Sequence, residues 1–194
     1  LASTWNKSLG LQYGRVLGSE AKERNKNIIL GPGINIIRSP LNGRNFEYLS
    51  EDPYLTAQMA IGYVNGVQEH GVAACAKHFA VHSGPEKLRH EFNAEVSQKD
   101  LWETYLPAFQ ALVDANVEAV MCAYNSTNGA PCCSNNYLIT DVLRDKWGFK
   151  GHVLTDCGAL EDFYKQKDNG GHGVVNTRAE AAALAVKSGV SLNC

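Results

Sequence analysis

The chain has no apolar run of the length a bilayer requires, no block of like charge and no Cys-x-x-Cys pair. A membrane-spanning helix needs about 20 consecutive apolar residues, so no spanning helix is expected. The 18 basic and 20 acidic residues are intermixed to a net charge of −2 and offer no basic stripe. Neither nucleic acid nor a membrane surface is therefore expected as a partner. The six cysteines lack the paired spacing of structural zinc sites. No Gly-x-Gly-x-x-Gly follows the first apolar segment, which argues against a dinucleotide-binding sheet. No motif implies a cofactor or a metal. There is no leader-like basic and apolar segment at Leu1, and the sequence opens inside a helical pattern, so a piece of a longer protein is expected.

What is present is ordinary globular material: 194 residues, 44% hydrophobic and 20% charged, enough for one core. Helical periodicity over residues 4–24 places Leu9, Tyr13, Val16 and Leu17 on an inner stripe. A short strand over residues 27–30 closes at Gly31-Pro32-Gly33, and a polar, turn-rich loop runs from 34 to 52. Long ordered loops in compact domains are usually functional. Asp52 and Pro53 cap and open a helix whose inner stripe is Ala57, Ala60, Ile61, Val64 and Val67. The small apolar run 72–76 then ends in Lys77-His78. A helix over 100–115, kinked at Pro107, leads to a strand over 117–124; a helix over 137–147 leads to a strand over 151–155. A final helix over 178–187 precedes a last apolar run.

Strand then helix, repeated in units of roughly forty residues, implies parallel strands with crossover helices. The expected fold is α/β, a (β/α)8 barrel of TIM type, incomplete, with about five of eight βα units in residues 1–194. Cys75, Cys122, Cys157 and Cys194 lie at ends of apolar runs and read as free, buried, small hydrophobes. Cys132 and Cys133 fall in a loop and are open to bridging with a partner. His78, His82, Glu86 and His90 recur at every fourth position, but Ser83-Gly84-Pro85 interrupts the helix that would present them together, so a metal site is not expected.

Chemistry in such barrels gathers at the C-terminal ends of the strands. The run Val153-Leu154-Thr155 ends on Asp156 and breaks at Gly158, so Asp156 reads either as a reactive carboxylate or as a cap for the following helix. The other strand ends supply Arg44, Lys77, His78 and Tyr124. One carboxylate ringed by cations and a hydroxyl suits a polyhydroxylated ligand, with the cations expected to lower the pKa of Asp156 and keep it nucleophilic. The same residues admit a second chemistry, a Schiff-base lyase or aldolase on Lys77, although no Gly-rich phosphate loop stands at the strand ends. A third reading is a non-catalytic sugar-binding fragment.

Five ordered motifs then carry a resemblance: Asn42-Gly43-Arg44-Asn45-Phe46-Glu47 with Ser50-Glu51-Asp52-Pro53, Ala76-Lys77-His78-Phe79-Ala80, Val120-Met121-Cys122-Ala123-Tyr124-Asn125, Thr155-Asp156-Cys157-Gly158, and Ser191-Leu192-Asn193-Cys194. Over nearly the whole chain the sequence resembles the barrel domain of family 3 glycoside hydrolases, in particular the bacterial β-xylosidase and β-glucosidase branch. The resemblance implies a retaining exo-acting β-glycosidase that releases a terminal xylose- or glucose-type sugar from oligosaccharides or aryl β-glycosides. It implies Asp156 as the nucleophile that forms a covalent glycosyl-enzyme. Arg44, Lys77 and His78 would bind hydroxyls in the first subsite, with Met121 and Tyr124 flanking the nucleophile and Tyr124 hydrogen-bonding it. Neither a cofactor nor a metal is implied.

The remaining barrel strands, a further acidic residue ahead of the first motif, and the following α/β sandwich that supplies the general acid/base in two-domain members are expected to lie outside these residues. The isolated chain is accordingly expected to be inactive. The N-acetylhexosaminidase branch uses an Asp-x-His pair in the loop after Lys77-His78; Leu88 stands where that Asp would be, which runs against this branch. Glu86 reads as a loop or substrate contact, and Glu47, Glu51 and Asp52 as structural. Cys157, where many relatives carry Trp, points toward the xylosidase-like branch. The substrate class implies a periplasmic or secreted location.

Overall fold

In the computed structural model of the chain, which describes residues 1–194, short parallel strands alternate with helices packed on one side of them. Helix α1 (Lys7–Glu23) starts at Asn6, whose side chain accepts from the Ser8 amide. Strand β1 (Ile28–Ile29) follows, then the long loop, then α2 (Pro53–Gln68), opened by proline and capped by Asp52. Next come β2 (Ala73–Phe79), β3 (Asn93–Ala94) and the single turn α3 (Gln98–Asp100), with α4 at Pro107–Asp114. Then follow β4 (Ala119–Cys122), β5 (Ser126–Thr127), β6 (Ala130–Pro131) and β7 (His152–Thr155), with α5 (Glu161–Tyr164) and α6 (Arg178–Lys187) last.

The main sheet runs β1-β2-β4-β7, parallel throughout and in chain order, which is the wall of a (β/α)8 barrel cut along its axis. The fifth strand expected near residue 190 is reduced to one bridge, Leu154 with Leu192. Period-two alternation separates the faces: Cys75, Ala119, Met121 and Leu154, with Ile28, form the inner cluster. The opposite face, carrying Ala74, Ala76, Val120 and Val153, joins the core of 39 buried residues shared with the helices. A second sheet, β3-β5-β6, ties the loops beyond β2 and β4 together. Its two-residue strands carry no periodicity that a sequence could display.

Several expectations are corrected. The buried face of α1 is Gly10, Gly14, Gly18 and Ala21, while Tyr13 and Val16, placed on the inner stripe, are 47% and 56% exposed. The glycines let two helices meet backbone to backbone: a Cβ on Gly14 would lie 2.3 Å from the Tyr63 carbonyl oxygen, and one on Gly66 2.4 Å from that of Leu11. The helix expected over 100–115 is interrupted by a wide turn, in which the Leu106 amide reaches back to the Leu101 carbonyl at 2.9 Å. Pro107, which has no N–H to offer the preceding turn, then opens α4.

The cysteines also differ. Cys122 is disulfide-bonded to Cys133, and Cys157 to Cys194; Cys75 and Cys132 are the free, buried ones. Cys133 therefore bridges within the chain rather than to a partner. The pairing of Leu154 with Leu192 brings the residues just beyond each, 157 and 194, to the same strand end, where both are exposed rather than buried.

Candidate functional site

The ends of β2, β4 and β7 and the loop after β1 converge, and each delivers residues that the sequence singles out. Asp156 follows β7 directly and is 7% exposed. Its two oxygens are not equivalent. Oδ1 accepts from the Cys157 amide at 2.9 Å, whereas Oδ2 is buried without a hydrogen-bond partner. Buried acceptors left open in this way are few in folded proteins and call for an explanation. Burial pushes the Asp156 carboxyl above its ordinary value; the Cys157 amide, Arg44, Lys77 and the nearby Tyr124 hydroxyl pull it back only in part. The expectation that the cations would leave its pKa lowered is thus corrected, because desolvation outweighs them.

His78 is fully buried and built into the loops on every side. The Asn35 side chain grips its backbone twice, accepting from the His78 amide at 2.7 Å and donating to its carbonyl at 2.8 Å. Nδ1 lies 3.0 Å from the Tyr48 hydroxyl, and Nε2 3.0 Å from Arg44 Nη2 and 3.4 Å from Asp156 Oδ2. A guanidinium only donates, so Nε2 accepts from Arg44 and the ring proton sits on Nδ1. His78 therefore has no proton to give Oδ2. Burial, then His82, Arg44 and Lys77, hold its pKa well below the ordinary histidine range, which keeps the ring neutral.

Glu47, expected to be structural, is the counter-ion of both cations. Its carboxylate pairs with the Arg44 Nε and stands 3.3 Å from Lys77 Nζ. Two carboxylates and two cations thus balance within the site. The Arg44, Lys77 and Glu47 side chains are 18%, 15% and 20% exposed, so the pairing is shielded from bulk water. Met121 lies on the inner face beside Lys77, its partner in register, and beside Leu154. The Tyr124 hydroxyl donates to the Cys157 carbonyl at 2.7 Å rather than to the Asp156 carboxylate, so it steadies Cys157 at its carbonyl while the amide of the same residue holds Oδ1. Burial first, then the charge of Asp156, pushes the Tyr124 phenol up to about 12.

The four residues at every fourth position are drawn to different partners. His78 faces Tyr48, His82 Nδ1 faces Asn125 at 3.1 Å, Glu86 accepts from Arg89 at 2.7 Å, and His90 faces Asp162 at 2.8 Å. Burial drives the His82 pKa down to about 4, and its Nε2, like Oε2 of Glu86, is a buried atom without a partner. Sequence reasoning passed over Asn35 and Tyr48. Both act on His78 from the long loop after β1, and an Asn-x-Ile run carries no signal of its own.

The largest cavity, about 600 Å³, reaches the site only through Glu47, Tyr48 and Lys77; it lies between the first residues of the chain, Tyr13 and the end of β1, and does not include Asp156. The chemistry is assigned to Asp156 on geometry, since its Oδ2 is a buried carboxylate oxygen without a hydrogen-bond partner, 3.4 Å from His78 Nε2, and Asp156 does not line that cavity. The arrangement can offer one unpaired carboxylate oxygen, two anchored cations and a neutral imidazole to a ligand rich in hydroxyl groups.

Comparison with known proteins places the chain in a family. The model of the glycosyl hydrolase family 3 N-terminal domain matches residues 1–193. The chain is 45% identical over 166 residues to a beta-glucosidase of Bacteroides ovatus, a match that takes in 85% of this chain and 22% of that protein. It is 44% identical over 185 residues to a xylan 1,4-beta-xylosidase of Xylanibacter ruminicola, across 91% of this chain and 21% of that protein. Among solved structures, the beta-glucosidase of Bifidobacterium adolescentis superposes with a TM-score of 0.85 at 39% identity, over 99% of this chain and 26% of that one. The chain spans between a fifth and about a quarter of the length of these relatives.

Proposed function

The chain belongs to glycosyl hydrolase family 3, and from that premise we propose that it is the nucleophile-bearing part of a retaining, exo-acting β-glycosidase that releases a terminal xylose- or glucose-type sugar. The observation that carries the proposal is the asymmetry of Asp156, with one oxygen pinned by the Cys157 amide and the other buried and free. In the first step Oδ2 attacks the anomeric carbon as the bond to the leaving oxygen breaks, and that oxygen takes a proton from a general acid. In the second, the same group, now a base, takes a proton from water, whose oxygen displaces Asp156. Arg44, Lys77 and His78 would bind the hydroxyls of the sugar, and Met121 and Tyr124 would flank the nucleophile. The general acid/base, the rest of the barrel and a second domain are proposed to come from sequence outside residues 1–194.

Balanced charge favours this reading over a Schiff base. A lysine nucleophile must be neutral and desolvated, whereas Lys77 Nζ stands 3.3 Å from the Glu47 carboxylate. The test uses the full-length protein carrying this chain. Asp156→Gly is expected to lose at least about 10³-fold in aryl-glycoside hydrolysis. Azide is then expected to restore turnover and give a glycosyl azide of inverted configuration. Near wild-type hydrolysis by the variant would contradict the proposal.

A further inference from the structure

The machinery described so far leaves out Arg89, Asp162 and His172, yet with His90 they form a second polar cluster against Tyr124. Asp162 lies in α5, which follows directly on the Asp156 turn, and is 2% exposed. Its Oδ2 is 2.8 Å from His90 Nδ1. Arg89 Nε donates to His90 Nε2 at 3.1 Å, so the proton of that ring sits on Nδ1 and is donated to Asp162. Held this way, the imidazole lies against the Tyr124 ring, with centroids 4.4 Å apart. A second imidazole holds the Tyr124 backbone: His172 Nε2 donates to its carbonyl at 2.7 Å. The His172 amide in turn donates to the Asp162 carbonyl at 2.6 Å. The sequence lacks an Asp at position 88 to orient His90, but the fold supplies one from beyond the candidate nucleophile.

We propose that Asp162 is a positioning residue for Asp156: through His90 it fixes the Tyr124 ring, whose hydroxyl holds the carbonyl of Cys157, the residue whose amide pins Asp156 Oδ1. This rests on Asp156 being the nucleophile. A buried carboxylate facing a half-exposed imidazole costs desolvation that an apolar pair would avoid, so packing alone gives little reason for it. What the pair does supply is direction: His90 packs on the Tyr124 ring, while His172 holds the backbone carbonyl of Tyr124 and the Cys157 carbonyl accepts from its hydroxyl.

The experiment uses the full-length protein carrying this chain and 2,4-dinitrophenyl 2-deoxy-2-fluoro-β-xyloside, whose leaving group needs no protonation. Maximal labelling rate and half-saturating concentration are measured for Asp162→Ala, His90→Ala, the double variant and Asp162→Asn. Asp162→Ala and His90→Ala are each expected to lower the maximal rate roughly 10–100-fold, as loss of an orienting outer partner commonly does, with little change in half-saturation. The double variant should be no slower than either single one, since the two act as a unit, and Asp162→Asn, which keeps an acceptor for Nδ1–H, should retain most of the rate. Unchanged rates, or losses that multiply in the double variant, overturn the proposal. A second measurement does not depend on labelling: the fluorine resonance of 3-fluorotyrosine at position 124 should shift in Asp162→Ala and stay fixed in Asp168→Ala, an exposed control. If the unsubstituted protein takes no label, the nucleophile reading fails, and an unmoved resonance separately overturns the clamp.

Discussion

At the scale of the residue, the balance at Asp156 sets how the site responds to pH. Burial raises its pKa, and Lys77 is one of the groups that pull it back. The acid limb of kcat/KM, which reports ionisation of the nucleophile in the free enzyme, is therefore expected above the ordinary carboxylate range. Lys77→Met removes a positive charge, destabilises the carboxylate and raises the pKa further, so the acid limb should move to higher pH. A pH profile in which it stays in place or moves to lower pH would contradict the account. Asp156, Arg44, Lys77, His78 and Tyr124 were legible because each closes an apolar run or sits in a turn-rich loop, where a polar side chain stands out. The sign of the pKa shift is not legible, since it depends on how deeply the carboxylate is buried, and the two partners of Glu47 are not legible either, because only the fold brings it between Arg44 and Lys77.

At the scale of the element, α1 and α2 show where periodicity misleads. Apolar side chains at Tyr13 and Val16 suggest an inward stripe, but glycine is the residue that faces the partner helix, because only it permits the approach of backbone to backbone. Gly14→Ala pits a gain of about 1 kcal/mol in helix propensity against overpacking that costs about 1–3 kcal/mol. The added methyl would meet a main-chain carbonyl at 2.3 Å, which cannot rotate away, so overpacking is expected to win. Chemical denaturation should show a net loss of about 1 kcal/mol, the midpoint of those figures; a variant more stable than the parent would contradict this packing. The helix at 178–187 and the start of the one at 53–68 are legible, the latter because Asp52-Pro53 is a cap written in the sequence; the capping box of Thr177 with Glu180 emerges from the structure. The β3-β5-β6 sheet and both disulfides were not, since each joins segments whose proximity only the tertiary fold creates.

At the scale of the whole molecule, four parallel strands in chain order carry their chemistry to one end, as a TIM-type barrel does. Alternation of strand and helix makes this architecture legible, while the apolar run near residue 190 suggests a fifth strand and forms a single bridge. The inner face is lined by Cys75, Ala119, Met121 and Leu154 and leads up to Lys77 and Asp156. The loops above it close around His78. The central claim is that this end of the sheet presents Asp156 as the atom that takes the sugar. Mass spectrometry of the full-length protein carrying this chain, after incubation with an activated 2-deoxy-2-fluoro-β-xyloside or -glucoside, tests it most directly. The account predicts one added fluorosugar, located by proteolysis on Asp156 and absent from Asp156→Asn; a protein that turns over aryl glycosides but carries the label on another residue would contradict it.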